Sequence, residues 1–133
     1  MNLIKNLFSM NKTIVKISLM LLSVLIISSC HKEGEGGKSS VSGSVKHHTK
    51  LIPNAVVYIK YGAKEFPGTD ISKYDASVTS DANAHYEFKD LYKGDYYLYG
   101  VGYDNQIMEA VTGGTGIELK RNKHSDIDVP VTE

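Results

Sequence analysis

From Val41 onward the chain alternates apolar and polar residues with a period of two, the signature of strands that bury one face of a sheet. Val41, Gly43 and Val45 point one way and Ser42, Ser44 and Lys46 the other, which predicts a strand over about 41–46. Ala55, Val57 and Ile59 against Val56, Tyr58 and Lys60 predict a second over about 55–61. Between them HHTKLIPN reads as a loop, with Pro53 barring a ladder hydrogen bond just before the strand resumes. A long connection, GAKEFPGTDISK, follows with Pro67-Gly68 at its centre, and Tyr74 to Thr79 is expected to be the third strand. Tyr86 and Phe88 alternate with His85, Glu87 and Lys89 in the fourth. The fifth, about Asp95 to Tyr103, buries Tyr96 and Leu98 and turns Tyr97, Tyr99, Val101 and Tyr103 to the opposite face. Further segments are expected at Ile107–Val111, Ile117–Lys120 and Ile127–Val131, with Gly113-Gly114 separating two of them and Asn122 marking the last turn. Short strands, frequent turn signals and no helical period after Ser40 predict an all-β sandwich of about seven strands.

The densest pattern runs from Thr79-Ser80-Asp81 through Tyr86-x-Phe88 and Leu91 to Gly94-x-Tyr96-x-Leu98. Asp81 and Asn83 supply the local hydrogen bonding that reverses the chain before Tyr86, and Leu91 is placed to plug the open end of a sandwich. This run resembles the signature of carboxypeptidase regulatory-like domains. The opening of the domain is similar to theirs too, with Val41, Gly43, Val45, Ile52, Pro53, Ala55, Val57 and Ile59 in the matching places. The resemblance covers Val41 to about Val131 and implies a single transthyretin-like (prealbumin-like) Greek-key sandwich. Ala84 departs from the family's usual glycine, so either the turn needs no positive φ there or Asn83 supplies it.

The first 29 residues read as a lipoprotein signal peptide, with Lys5, Lys12 and Lys16 as its basic region. Its helix carries the apolar run Ile17–Ile27, short of the roughly 20 residues a spanning helix needs. Ile27-Ser28-Ser29-Cys30 resembles a lipobox, cut by bacterial signal peptidase II before a lipid-modified Cys. Cys30 is the only cysteine, so no intrachain disulfide is available and acylation, palmitate included, is its expected use. Several acyl chains on one residue tether a protein stably where a single chain holds it marginally. Residues 30–40, the lipidated Cys and HKEGEGGKSS, are expected to be a flexible linker, and 41–133 the sandwich domain. Glu33 and Glu35 resemble the acidic tags that send some Gram-negative lipoproteins to the outer face of the outer membrane, or they simply solvate the linker. The expected location is the cell envelope, lipid-anchored in the outer membrane, with the cell surface or the inner leaflet both open as the side it faces.

Charge changes the list of partners. Three of the fifteen basic residues leave with the signal peptide and none of the fifteen acidic ones do, so the mature chain carries about −3. No basic footprint results, and nucleic acid is not an expected partner. His47 and His48 invite a metal reading. Adjacent side chains of an extended segment diverge, however, and no zinc-type spacing supports one, so neither a metal nor another cofactor is expected. Asp70, Asp75, Asp81 and Asn83 lack the spacing of a calcium loop and read as turn residues. No nucleophile elbow is present. Two relatives of the fold carry chemistry. The transthyretin-related hydrolases end in Tyr-Arg-Gly-Ser, whereas this chain ends DVPVTE and has its single arginine at Arg121. Isopeptide-bonded domains would need Lys46 joined to Asp126 or Asp128, but Lys46 falls on the outward register and no acid sits inward between them.

What stands out is tyrosine, with nine in the chain. Tyr97, Tyr99 and Tyr103 on one strand, Tyr58 on its neighbour and Phe66 in the long loop form a candidate binding surface, since flat amphipathic rings suit stacking on sugars or anchoring a protein. The plainer reading is an outer face covered by its own neighbours. The expected function is that of a lipid-anchored, non-enzymatic envelope protein whose sandwich is an interaction or accessory module. An alternative is a glycan or small-ligand binder using the tyrosine-rich face, and a transthyretin-related hydrolase comes third. The expected partners are the membrane, through acylated Cys30, and an envelope protein or glycan.

Overall fold

The computed structural model describes residues 32–133; the segment expected to be a signal peptide and the expected lipidation site Cys30 lie outside the described residues. Nine strands form two sheets, and the only helical element among the described residues is a 3-10 turn at Ile71–Lys73. The strands are β1 (Glu35–His47), β2 (Lys50–Leu51), β3 (Val56–Tyr61), β4 (Ala76–Thr79), β5 (His85–Leu91), β6 (Gly94–Asp104), β7 (Glu109–Leu119), β8 (His124–Asp126) and β9 (Val129–Val131). One sheet has β1 at its centre, antiparallel to β2 and β5 on one side and parallel to β8 and β9 on the other. The other runs β4-β3-β6-β7 with antiparallel neighbours throughout. No described helix is long and apolar enough to cross a membrane.

The all-β sandwich expected from the alternation is the one observed. Val41 and Val45 from β1, Tyr86 and Phe88 from β5, Val57 and Ile59 from β3 and Tyr96 and Leu98 from β6 are all buried in one core, and Leu91 closes it. His85, Glu87 and Lys89 are exposed, as a period of two requires. The hydroxyl of Tyr96 donates to the Tyr92 carbonyl at 2.8 Å and accepts from the Gly34 amide at 2.9 Å, so the core tyrosine has its polar end satisfied.

Three segments differ from the sequence reading. The first strand starts at Glu35, not Val41, so the stretch read as linker is half built into the sheet. Ser39 is fully buried, its hydroxyl donating to the Lys120 carbonyl at 2.8 Å and accepting from the Asn122 amide at 3.1 Å. Small, polar composition there reflects a crowded backbone crossing as much as solvation. Second, Gly113-Gly114 does not separate two strands: β7 runs unbroken through it, with Gly113 opposite Gly100 and Gly114 opposite Tyr99. A Cβ on Gly113 would lie 2.5 Å from the Pro130 carbonyl oxygen, so β9 passes where a side chain would stand. Third, Ala84 itself takes φ +61, against both alternatives expected for it. Its amide donates to the Asp81 carbonyl and its carbonyl accepts from the Val45 amide, both at 3.0 Å, and its methyl is buried. Those contacts offset a left-handed conformation that costs an L-residue about 1–2 kcal/mol. Asp81 does organise the turn, accepting from the amides of Asn83 at 2.8 Å and His85 at 2.9 Å. These bonds hold its carboxyl below the ordinary carboxylate range.

Candidate functional site

Tyr97, Tyr99 and Tyr103 of β6 fall where the alternation puts them, on the face of the four-stranded sheet opposite to core Tyr96. Register places Tyr99 beside Tyr58 of β3, and sets Tyr97 and Tyr99 opposite Gly116 and Gly114 of β7. Two glycines therefore leave a floor on which large rings can lie. The connection from Gly62 to Asp75 fills the space above it. Its start is fixed by the Gly62 amide donating to the Asp95 carbonyl at 2.8 Å, and Lys64 pairs with Asp95 and Glu118, each at 3.2 Å. A Cβ on Gly116 would stand 2.0 Å from the Lys64 carbonyl oxygen, so the loop's backbone rests on β7. At the far end Asp75 accepts from the Tyr61 amide at 2.7 Å, and Asp70 caps the 3-10 turn through the Ser72 amide at 3.1 Å.

Aromatic rings join loop and sheet. Phe66 sits 5.7 Å from Tyr97 and 5.5 Å from Tyr99, centre to centre. Tyr74 stacks on Tyr99 at 5.5 Å with 19° between planes, and its hydroxyl donates to the Gly68 carbonyl at 2.9 Å. Tyr58 touches both Tyr74, at 5.9 Å, and Tyr99, at 6.5 Å. Burial, reinforced by Tyr97 and Tyr99, pushes the Tyr74 hydroxyl up to about 12, and burial likewise raises Tyr97. The cluster's shifted phenols are uncharged at neutral pH.

Of the five aromatic residues expected on a binding surface, the structure leaves two open. Tyr97 and Tyr99 are 9% and 3% exposed, so they are the underside of the loop and not a face offered to solvent. Tyr58 is half-buried. Phe66 is 52% exposed and Tyr103 48%, the latter four residues along β6 from Tyr99, about 13 Å at the usual strand rise. Tyr74, which locks the loop down, was not singled out by the sequence, where it reads only as the first residue of a strand.

A second cluster lies where β1 and β6 end. His47 continues the inward register of Val41, Gly43 and Val45, and Asp104 continues that of Tyr96 and Leu98. A histidine and an acid extending two core faces toward the same end is a signal the alternation contains. His47 Nδ1 meets Asp104 Oδ2 at 2.9 Å, and both residues are buried. The other carboxylate oxygen accepts from the Lys50 ammonium and, at 2.8 Å, from the Gln106 amide. These donors hold the Asp104 carboxyl far below its ordinary range, and the bond to Asp104 raises His47. His47 therefore belongs to β1 and not to the loop expected at HHTKLIPN. His48, at φ +55, turns the chain so that the two rings lie on the same side, 4.6 Å apart. The divergence expected of the pair requires an extended backbone, and His48 is not extended.

Two further groupings are simpler. Lys46 and Asp128 do meet, at 2.6 Å, but both are well exposed and form a surface ion pair. His124 bridges the hydroxyls of Ser40 at 2.9 Å and Ser42 at 3.2 Å, tying β8 to β1.

No protein-family model matches the chain, and no curated protein matches it in sequence. The sandwich is similar to the crystal structure of PA1324 from Pseudomonas aeruginosa, a protein provisionally described as carbohydrate-binding. The two share 13% identity, with 73% of this chain and 90% of that one covered and a TM-score of 0.46.

Proposed function

We propose that this chain is a lipid-anchored envelope protein whose sandwich, of the carboxypeptidase regulatory-like kind, is a non-catalytic binding module, and that Phe66 is its principal contact for a glycan or other flat, neutral ligand. The observation that carries the reading is the setting of Phe66. A half-exposed ring is held on two buried tyrosines by a loop pinned at both ends, so it meets a ligand with little conformational entropy left to lose. An uncharged aromatic surface suits stacking better than proton transfer, which supports binding over catalysis. Ile71, exposed in the same loop, favours a protein partner as the second reading, with the same loop as its anchor.

Two substitutions test the two halves of the proposal. Cys30→Ser is expected to move the protein from the membrane to the soluble fraction and to abolish acyl labelling. Unchanged membrane retention, with no label on the unaltered protein, refutes the anchor. Phe66→Ser is expected to weaken binding about thirtyfold, the effect of losing an anchor worth about 2 kcal/mol. It should cost only about 1 kcal/mol of stability, because half the ring is already in water. Binding is read on a glycan array and against solubilised envelope extract, which separates sugar from protein as the ligand. Undiminished binding of Phe66→Ser to both removes the loop from the reading.

A further inference from the structure

We propose that His47, His48 and Glu133 form a Zn²⁺ site at the end of the sandwich, with Asp104 holding His47 in the tautomer that binds the ion. Asp104 is an acceptor-only carboxylate whose other oxygen is already taken by Lys50 and the Gln106 amide, so the Nδ1 of His47 must donate to it. That bond fixes the ring and leaves Nε2 as the atom able to offer a lone pair. A histidine ligand backed by a carboxylate on its second nitrogen is the usual arrangement in metal sites, because it sets both orientation and basicity.

Nε2 is also the one buried side-chain polar atom among the described residues without a hydrogen bond. Glu133 Oε2 approaches to 2.7 Å, within ion-pair distance. A buried lone pair facing a carboxylate oxygen is unfavourable unless something positive sits between them, and a proton or a metal ion can take that place. His48 supplies a third donor through its left-handed backbone. One donor atom from each of His47, His48 and Glu133 lies within 4.8 Å of the other two. Tetrahedral Zn²⁺, at about 2.0–2.2 Å from each ligand, needs donors about 3.4 Å apart. His48 and Glu133 are both exposed and can rotate, Glu133 moving out from its 2.7 Å contact and His48 moving in, while Asp104 holds His47 in place.

Two imidazoles and one carboxylate select a borderline cation such as Zn²⁺ over Ca²⁺ or Mg²⁺, which require more oxygen ligands. Three protein ligands leave a fourth position for water or for a group on a ligand. The site is on a different part of the sandwich from Phe66 and does not depend on that surface binding anything.

The test is a Zn²⁺ titration of the full-length chain in mild detergent, with a chelating indicator as competitor. One Zn²⁺ per chain is expected, with a higher unfolding midpoint when it is bound, and Co²⁺ in its place should give the strong visible absorption of a tetrahedral field. His48→Ala and Glu133→Gln should each weaken binding by at least about tenfold. Both variants should stay folded without metal, since both side chains are exposed, and any shift of their metal-free midpoint should be small beside the one Zn²⁺ produces in the unaltered protein. His85→Ala and His124→Ala should bind as the unaltered protein does. Absence of Zn²⁺ binding at submillimolar concentrations overturns the proposal and identifies His47 as a plain ion-paired histidine. Equal binding by His48→Ala and Glu133→Gln overturns it as well, by putting the ion elsewhere.

Discussion

Replacing Tyr97 and Tyr99 together by serine is expected to leave the domain largely unfolded in water at room temperature. Each ring is almost wholly covered, by Phe66 on both and by Tyr74 and Tyr58 on Tyr99. Removing a buried aromatic side chain costs about 3–5 kcal/mol, through lost transfer energy and the cavity left behind. A domain of this size has about 5–15 kcal/mol in total. The two losses will not simply add, because both rings support the same loop and the first removal already loosens what the second would lose. Even so, their combination takes most of the available stability. A urea melt of the double variant beside the single ones checks this, with the loss read from the midpoint at constant slope. A loss below about 2 kcal/mol for the double variant would mean that the rings stand in solvent and that the loop does not cover them.

The sheet faces were legible because a strand's side chains have only two directions, so a few alternating residues fix all the others. Tyr86 and Phe88 inward, His85 and Lys89 outward, and the split of Tyr96 and Leu98 from Tyr97, Tyr99 and Tyr103 follow from local order alone. Whether an outward face is wet does not follow from it. Tyr97 and Tyr99 are buried by a segment more than 20 residues away in sequence, and GAKEFPGTDISK has no period to announce where it lies. What hints at its course is on a different strand. Gly114 and Gly116 alternate with Thr115 and Ile117, and glycines repeated on one face of a strand mark a place where something else fills the space of side chains.

Glycine misled in the other direction as well. Gly36 and Gly37 with Ser39 and Ser40 read as a solvated tether, and Gly113-Gly114 as a break, yet each lies inside a strand. Composition distinguishes a flexible chain from a closely packed one poorly, because both call for small residues. The cluster at the end of β1 and β6 was hidden for a related reason. The alternation that places Val41 and Val45 in the core continues to His47, one residue past the strand end that polarity predicts at Lys46. Likewise Asp104, two residues past Gly102 on the core face of β6, lies one residue beyond the strand end that the apolar pattern predicts at Tyr103. Positions where an inward register persists after apolar residues run out are where a fold presents buried charge.

Gly116→Val puts the coupling between that glycine and the aromatic cluster to a direct test. The new Cβ would stand 2.0 Å from the Lys64 carbonyl oxygen and 3.0 Å from its Cα, both backbone atoms that no rotamer change can move aside. β7 is paired to β6 along its whole length, so the strand is held and the loop must lift. Lifting it draws Phe66 off Tyr97 and Tyr99 and separates Lys64 from Asp95 and Glu118, of which the ring contacts matter more because the ion pairs are exposed. Overpacking of this sort costs about 1–3 kcal/mol, and a clash with backbone belongs at the upper end. The loss should be local. Amide hydrogen exchange is expected to speed up across Gly62–Asp75 while the amides of β1 and β5, in the other sheet, keep their protection. Binding through Phe66 should fall with it, since the ring is no longer held in place. A Gly116→Val protein with an unchanged unfolding midpoint and a fully protected loop would show that the loop's backbone does not rest on β7, and the setting of Phe66 would have to come from the loop's end contacts and its rings on Tyr97 and Tyr99.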